Sequence, residues 1–137
     1  MFGRIFKGMD YRLNNSTQNN KIIISELCAS FERQLAVYRE LRDFVRSHLS
    51  KMVLSRGDPG VLTVGIDKKV RLLDKINQER ASITEHLEYW QEHREELVND
   101  VNAAILNDIL EQTEAVIKEF LAEEEKLKQY VEKMCNK

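Results

Sequence analysis

From Ile66 to Lys137 the chain contains neither glycine nor proline. All 137 residues hold only five glycines and one proline, and three of those glycines (Gly57, Gly60, Gly65) cluster around Pro59. Strand-rich folds need turn residues roughly every 8–12 positions, so such a fold is excluded and helix is favoured. Cysteine is equally scarce. Cys28 and Cys135 lie near opposite ends of the sequence and make no disulfide framework, which points to free thiols in a reducing cytosol. Long apolar runs are missing too. Nothing approaches the ~18 residues a membrane-spanning helix requires, and the start of the sequence has no apolar signal-peptide core. A cytoplasmic protein without a membrane span is therefore expected.

Charge is abundant but balanced. Charged residues make up 32% of the chain and hydrophobic ones 42%, with a formal net charge of −2. Globular domains average about a quarter charged residues, so the excess suggests a thin structure with much surface per residue. Near-neutrality removes any global attraction to nucleic acid. Arg39, Arg42, Arg46, Lys51 and Arg56 give one basic side, but Glu40 and Asp43 interrupt it and i,i+4 ion pairs explain it more simply. From Val101 onward eight acidic residues face five lysines, so the last helix is acidic.

Periodicity divides the chain. Residues 1–20 are expected to be a flexible tail. Phe2, Ile5, Phe6 and Met9 form one short apolar face within it, and the polar stretch 13–20 reads as a linker. A first helix is predicted over 21–54, with Ile24, Leu27, Phe31, Leu35, Tyr38, Leu41, Val45, Leu49 and Met52 at alternating steps of three and four. That spacing is the seam of coiled-coil-like packing. Residues 55–60 break the helix. Asp58 can cap the next one, and Pro59 suits a first helical position; the Arg56-Gly57-Asp58 tripeptide is read as part of this turn. A second helix over 59–80 carries Leu62, Ile66, Val70, Leu73 and Ile76. Ser82 and Glu85 stand at capping-box spacing. A third helix is predicted over 84–134, with Leu87, Trp90, Leu97, Val101, Ile105, Ile109, Val116, Phe120, Leu127, Tyr130 and Met134 as its seam. A break at 99–102 is the alternative, but the seam keeps its phase there, which favours one continuous helix. The expected fold is all-α: an elongated antiparallel bundle of three long helices forming a single domain over 21–137.

Catalytic patterns are absent from the sequence. His86 and His93 are seven residues apart, without the Glu-x-x-His or His-Glu-x-x-His spacing that builds metal sites on helices. The histidines are read as lying on a charged, exposed face. No glycine-rich phosphate loop or nucleophile elbow occurs. Binding is expected rather than catalysis, without a metal or cofactor. Adjacent apolar pairs remain on the third helix: Ile109-Leu110, Val116-Ile117 and Phe120-Leu121. They widen its stripe beyond a single seam. These six residues are the predicted partner-binding face, and burial in the bundle core or in a homodimer is the competing use.

The second and third helices resemble the FlgN family of flagellar export chaperones. The similarity runs over about residues 35–125. It begins with the helix end and Gly-Asp at Leu54–Asp58 and continues through Lys69, Leu72, Leu73 and Arg80. Beyond these lie Trp90 to Leu97, and the Asn99/Asn102 pair before Ile105-Leu106. Members often end in a polar tail, whereas residues 119–133 here still read as helix. The resemblance implies a cytosolic chaperone that binds the C-terminal helices of hook–filament junction (hook-associated) proteins before export, with no nucleic acid and no nucleotide or metal involved. It also implies that the client contacts lie on the C-terminal stripe. A self-assembling adaptor and a helical secretion-system regulator are the alternatives.

Overall fold

In the computed structural model the described residues are 5–98 and 100–136, with side chains described from Asn19 onward. These residues form five helices and no strand: α1 (Ile5–Leu54), α2 (Pro59–Ser82), α3 (Thr84–Glu92), α4 (Arg94–Leu97) and α5 (Val101–Cys135). The fold is all-helical, as the shortage of turn residues requires.

α1 has 50 residues and is about 75 Å long at 1.5 Å per residue. It starts at Ile5, so the stretch 13–20 expected to be a linker is helical and joins the rest of α1 without a break. Asn, Ser and Thr cost only a fraction of a kcal/mol each in a helix, and neither glycine nor proline intervenes to stop it. Phe2 lies outside the described residues, as do the side chains of Ile5, Phe6 and Met9.

α1 ends where the backbone turns left-handed at Arg56 (φ 56°) and Gly57 (φ 82°). The Gly57 amide donates to the Met52 carbonyl at 2.9 Å and closes the end of the helix. Asp58 then caps α2, accepting from the Gly60 amide at 2.8 Å, with Pro59 in the first turn as its chemistry predicts. α2 runs antiparallel to α1. The pairs Ser30–Glu79 and His48–Val61 set that register. α3 continues the same descent, with His86 against Glu26 and the Tyr89 hydroxyl on Asn20. α5 then runs parallel to α1, as the pairs Arg39–Gln112 and Arg46–Glu123 show.

The expected third helix, 84–134, is not continuous. It begins at Thr84 as expected, after a break at Ile83, but the predicted capping box does not form there. The Ser82 hydroxyl donates back to the Glu79 carbonyl at 2.7 Å, and no side chain caps α3. The expected helix is interrupted at His93 and again before Asp100, which caps α5 by accepting from the Asn102 amide at 2.8 Å. The seam changes phase across this last break. Val101 is 77% exposed and Ile105 is exposed as well, while Ala103 and Leu106 are buried. In α2 the expected seam residues Ile66 and Val70 are likewise exposed, and Gly65, Leu72 and Ile76 face inward.

The core has two main clusters. One gathers Ile24, Leu27, Ile83, Trp90, Leu97, Ala103 and Leu106 at the α3 end of the molecule. The other gathers Leu41, Val45, Met52, Leu72, Ile76, Phe120 and Leu127 toward the α1–α2 turn. Leu35, Ile109 and Val116 lie between them, at a level that also contains buried Ser30, Gln34 and Thr113.

Candidate functional site

α1 is the spine on which α2–α3 and α5 both pack, and the backbones flanking it approach α1 far more closely than they approach each other. Where α2 gives way to α3 at Ile83, this leaves an open groove of about 580 Å³. Its floor is Phe31, Gln34 and Tyr38 of α1, and Leu87 and Ile83 line the α2–α3 wall. Leu110, Thr113 and Ile117 form the α5 wall, and Arg80, Glu88, Gln91 and Glu114 stand at the rim. A second hollow of about 300 Å³ continues the crevice between Trp90, Arg94, Val98 and Asn107. Sites of a few hundred Å³ with apolar walls and a few polar groups are the usual form of a binding cleft.

The geometry separates the six residues of the predicted binding face. Ile109 and Val116 are buried against Leu35, and Phe120 is buried among Leu41, Val45 and Leu127. Leu110 and Ile117 line the groove, and Leu121 stands 56% exposed one turn beyond it. Each adjacent pair is thus divided by the helical rotation of about 100° per residue. The first member packs on α1 and the second turns outward. The floor residues Phe31 and Tyr38 belong to the α1 seam, and their half-exposure follows from the gap between α2–α3 and α5.

The polar floor is ordered by a short network. Arg33 donates to Glu79 from Nε (2.6 Å) and Nη2 (3.1 Å), and the Ser30 hydroxyl donates to the same carboxylate at 2.9 Å. These bonds, Arg33 foremost, hold the Glu79 carboxyl below its usual range despite some burial. Ser30 has spent its proton, so its oxygen accepts from the Gln34 amide nitrogen at 3.3 Å. The Thr113 hydroxyl donates to its own helix at Ile109 O, 2.7 Å away.

Each histidine has a neighbour within the fold. His48 is buried between α1 and α2 and not exposed as expected; its Nε2 donates to Val61 O at 3.1 Å and its ring stacks on Phe44. His93 stacks on Tyr89 with ring centroids 3.9 Å apart, and His86 pairs with Glu26. Burial, with Glu32 and Asp100 nearby, pushes the Cys28 thiol above its ordinary pKa. Among the described residues no three His, Cys, Asp or Glu side chains converge as metal ligands do, and no helix is long and apolar enough to cross a membrane. No protein-family model matches the chain, and neither a curated protein nor a solved structure matches it.

Proposed function

We propose that this protein is a non-enzymatic helix-binding module whose five helices act as the three courses of an elongated antiparallel bundle. It receives an amphipathic helix of a partner protein in the groove between α2–α3 and α5. The observation that carries this reading is the groove itself. Phe31, Tyr38, Leu87, Leu110 and Ile117 are offered along one open crevice with polar groups at its edges. An apolar channel with a polar rim is how helix-in-groove recognition is built.

The resemblance to FlgN chaperones gives the reading its biological form. Such a module would hold the apolar C-terminal helices of hook–filament junction proteins in the cytoplasm before export. A synthetic C-terminal helix of such a protein, fluorescently labelled, is the direct probe. Anisotropy should show saturable binding to the full-length chain. Leu110→Asp with Ile117→Asp should weaken it at least tenfold, with helix content by circular dichroism unchanged. No binding by the unmodified chain overturns the chaperone reading.

Self-assembly is the second reading. Val101 and Ile105 are exposed one turn apart at the start of α5, and neither lines the groove. Sedimentation of a Val101→Lys, Ile105→Lys variant would reveal a dimer that depends on that surface.

A further inference from the structure

Beyond accepting a helix, the groove has a sign and a polar mark, and together they specify the partner. Residues 81–117 carry nine Asp and Glu against a single Lys or Arg, Arg94, whereas residues 33–80 carry eleven Lys and Arg against six Asp and Glu. The acidic segment is the one that supplies the α3 and α5 walls. All of its carboxylates except that of Asp100 belong to exposed residues. Among the described residues Glu85, Glu88, Glu92, Glu95, Glu96 and Glu111 have no Lys or Arg partner, and Glu114 has only Lys118, at 3.4 Å on its own helix. Arg80 and Arg94 are the cations that line the crevice; Arg80 is outnumbered there by Glu88 and Glu114, and Arg94 is matched by Glu95. The potential over this crevice is therefore negative. An apolar channel framed by one sign of charge concentrates ligands of the other.

The polar mark is Gln34. It is 2% exposed and lines the groove floor. One N–H of its amide goes to Ser30, and among the described residues no donor reaches its Oε1. No side-chain oxygen that is both sealed from solvent and unpaired occurs among the described residues, so Oε1 faces the open groove. On the α5 wall of the same groove, the Thr113 hydroxyl has given its proton to Ile109 O and can only accept. The apolar floor thus holds, at Gln34, a hydrogen-bond acceptor that waits for a donor. In helix packing a single polar position of this kind fixes register.

We propose, building on the helix-binding reading, that the occupant is a basic amphipathic helix of another protein: an apolar stripe flanked by Lys or Arg, interrupted by one donor side chain that meets Gln34 Oε1. An acidic or neutral helix lacks the charge complement. A helix with an uninterrupted Leu stripe leaves the Gln34 oxygen buried without a partner.

The probes are labelled 18-residue peptides sharing one Leu stripe with a central Asn. One is flanked by Lys and the other by Glu, and a third replaces the Asn of the Lys peptide with Leu. The full-length chain is expected to bind the Lys–Asn peptide at least tenfold more tightly than the Glu peptide, and at least threefold more tightly than the Lys–Leu peptide. The first ratio should shrink as salt rises. Glu88→Lys with Glu114→Lys, both at exposed positions, should narrow it at least threefold. Gln34→Leu should erase the preference for Asn. Equal affinity for the Lys and Glu peptides overturns the proposal while leaving helix binding intact. Lys-peptide binding that survives Leu110→Asp with Ile117→Asp shows charge attraction outside the groove and also overturns it. A dimer of the chain alone that the same double substitution dissolves makes a second copy the occupant, with the same consequence. Failure of every peptide and of the hook-associated helix together removes the helix-binding reading as well.

Discussion

Gly65 is a residue whose value lies in what it lacks. In the interior of a helix, Ala is favoured over Gly by about 1 kcal/mol, so propensity alone makes Gly65→Ala stabilising. The structure reverses the sign. A Cβ built at Gly65 overlaps the imidazole of His48. That ring cannot swing aside freely, since it is buried, stacked on Phe44 and bonded to Val61 O. Overpacking of this kind costs about 1–3 kcal/mol, enough to exceed the propensity gain. Gly65→Ala should therefore lower the thermal midpoint followed by circular dichroism. In a His48→Ala background, where the ring is gone, the same change should raise it. A midpoint that rises in both backgrounds would mean that the α1–α2 contact is looser than described. Glu79 gives a pH prediction at the same scale. Its carboxyl titrates below the ordinary range in the folded chain, chiefly because of Arg33, so the folded state binds fewer protons there than the unfolded state does. The resulting stability is present above the usual glutamate pKa of about 4.3 and is lost as the pH falls through the lower folded value. Between about pH 5 and pH 3 the unmodified chain should lose thermal stability more steeply than Glu79→Gln. Parallel curves would remove the Arg33–Ser30–Glu79 clasp from the acid response.

At the scale of the element, the breaks decide where the groove opens. Asp100 caps α5 through the Asn102 amide, and Ala at an N-cap typically costs about 1 kcal/mol. Asp100→Ala should lower stability by that amount and fray the first turn of α5, seen as faster amide exchange at 101–104 than at 113–120. Uniform exchange along α5 would instead describe one rigid rod running back into α4. These breaks also mark how far the sequence could be read. The end of α1 and the start of α2 are legible because Gly57, Asp58 and Pro59 each have one local role. The phase of the seam is not legible at α2 or at the start of α5. Ile66, Val70, Val101 and Ile105 are apolar but face out, while Gly65, Ala103, Thr113 and Glu123 face in. Small residues serve where helices come close, and Glu123 is tolerated inside because Arg46 reaches it at 3.2 Å. Such substitutions are invisible to a count of hydrophobic residues. Of the six residues read as a partner face, only Leu110 and Ile117 line the groove; Leu121 is exposed one turn beyond it, and Ile109, Val116 and Phe120 belong to the core.

For the whole molecule, the two core clusters meet at a polar waist. Ser30, Gln34 and Thr113 occupy the level where an uninterrupted bundle would place large apolar side chains, and the groove opens at the same height. The apolar cluster between the halves, Leu35, Ile109 and Val116, is smaller than either main cluster, so the halves should be separable by perturbing one of them. Trp90, the only tryptophan, is buried in the cluster at the α3 end and reports on that half alone. Far-UV dichroism reports on all the helices. Leu106 is fully buried beside Trp90, and truncating such a residue to Ala costs about 2–5 kcal/mol. In urea, Leu106→Ala should move the Trp90 fluorescence midpoint to lower concentration than the dichroism midpoint. Leu127→Ala, in the opposite cluster, should not make the Trp90 transition precede the dichroism transition. Coincident midpoints in both variants would show that α1 transmits folding across the waist as one cooperative rod. Separated midpoints would make the groove a joint between two semi-independent halves, and a partner helix lying across it would then raise the lower midpoint toward the higher one by binding both.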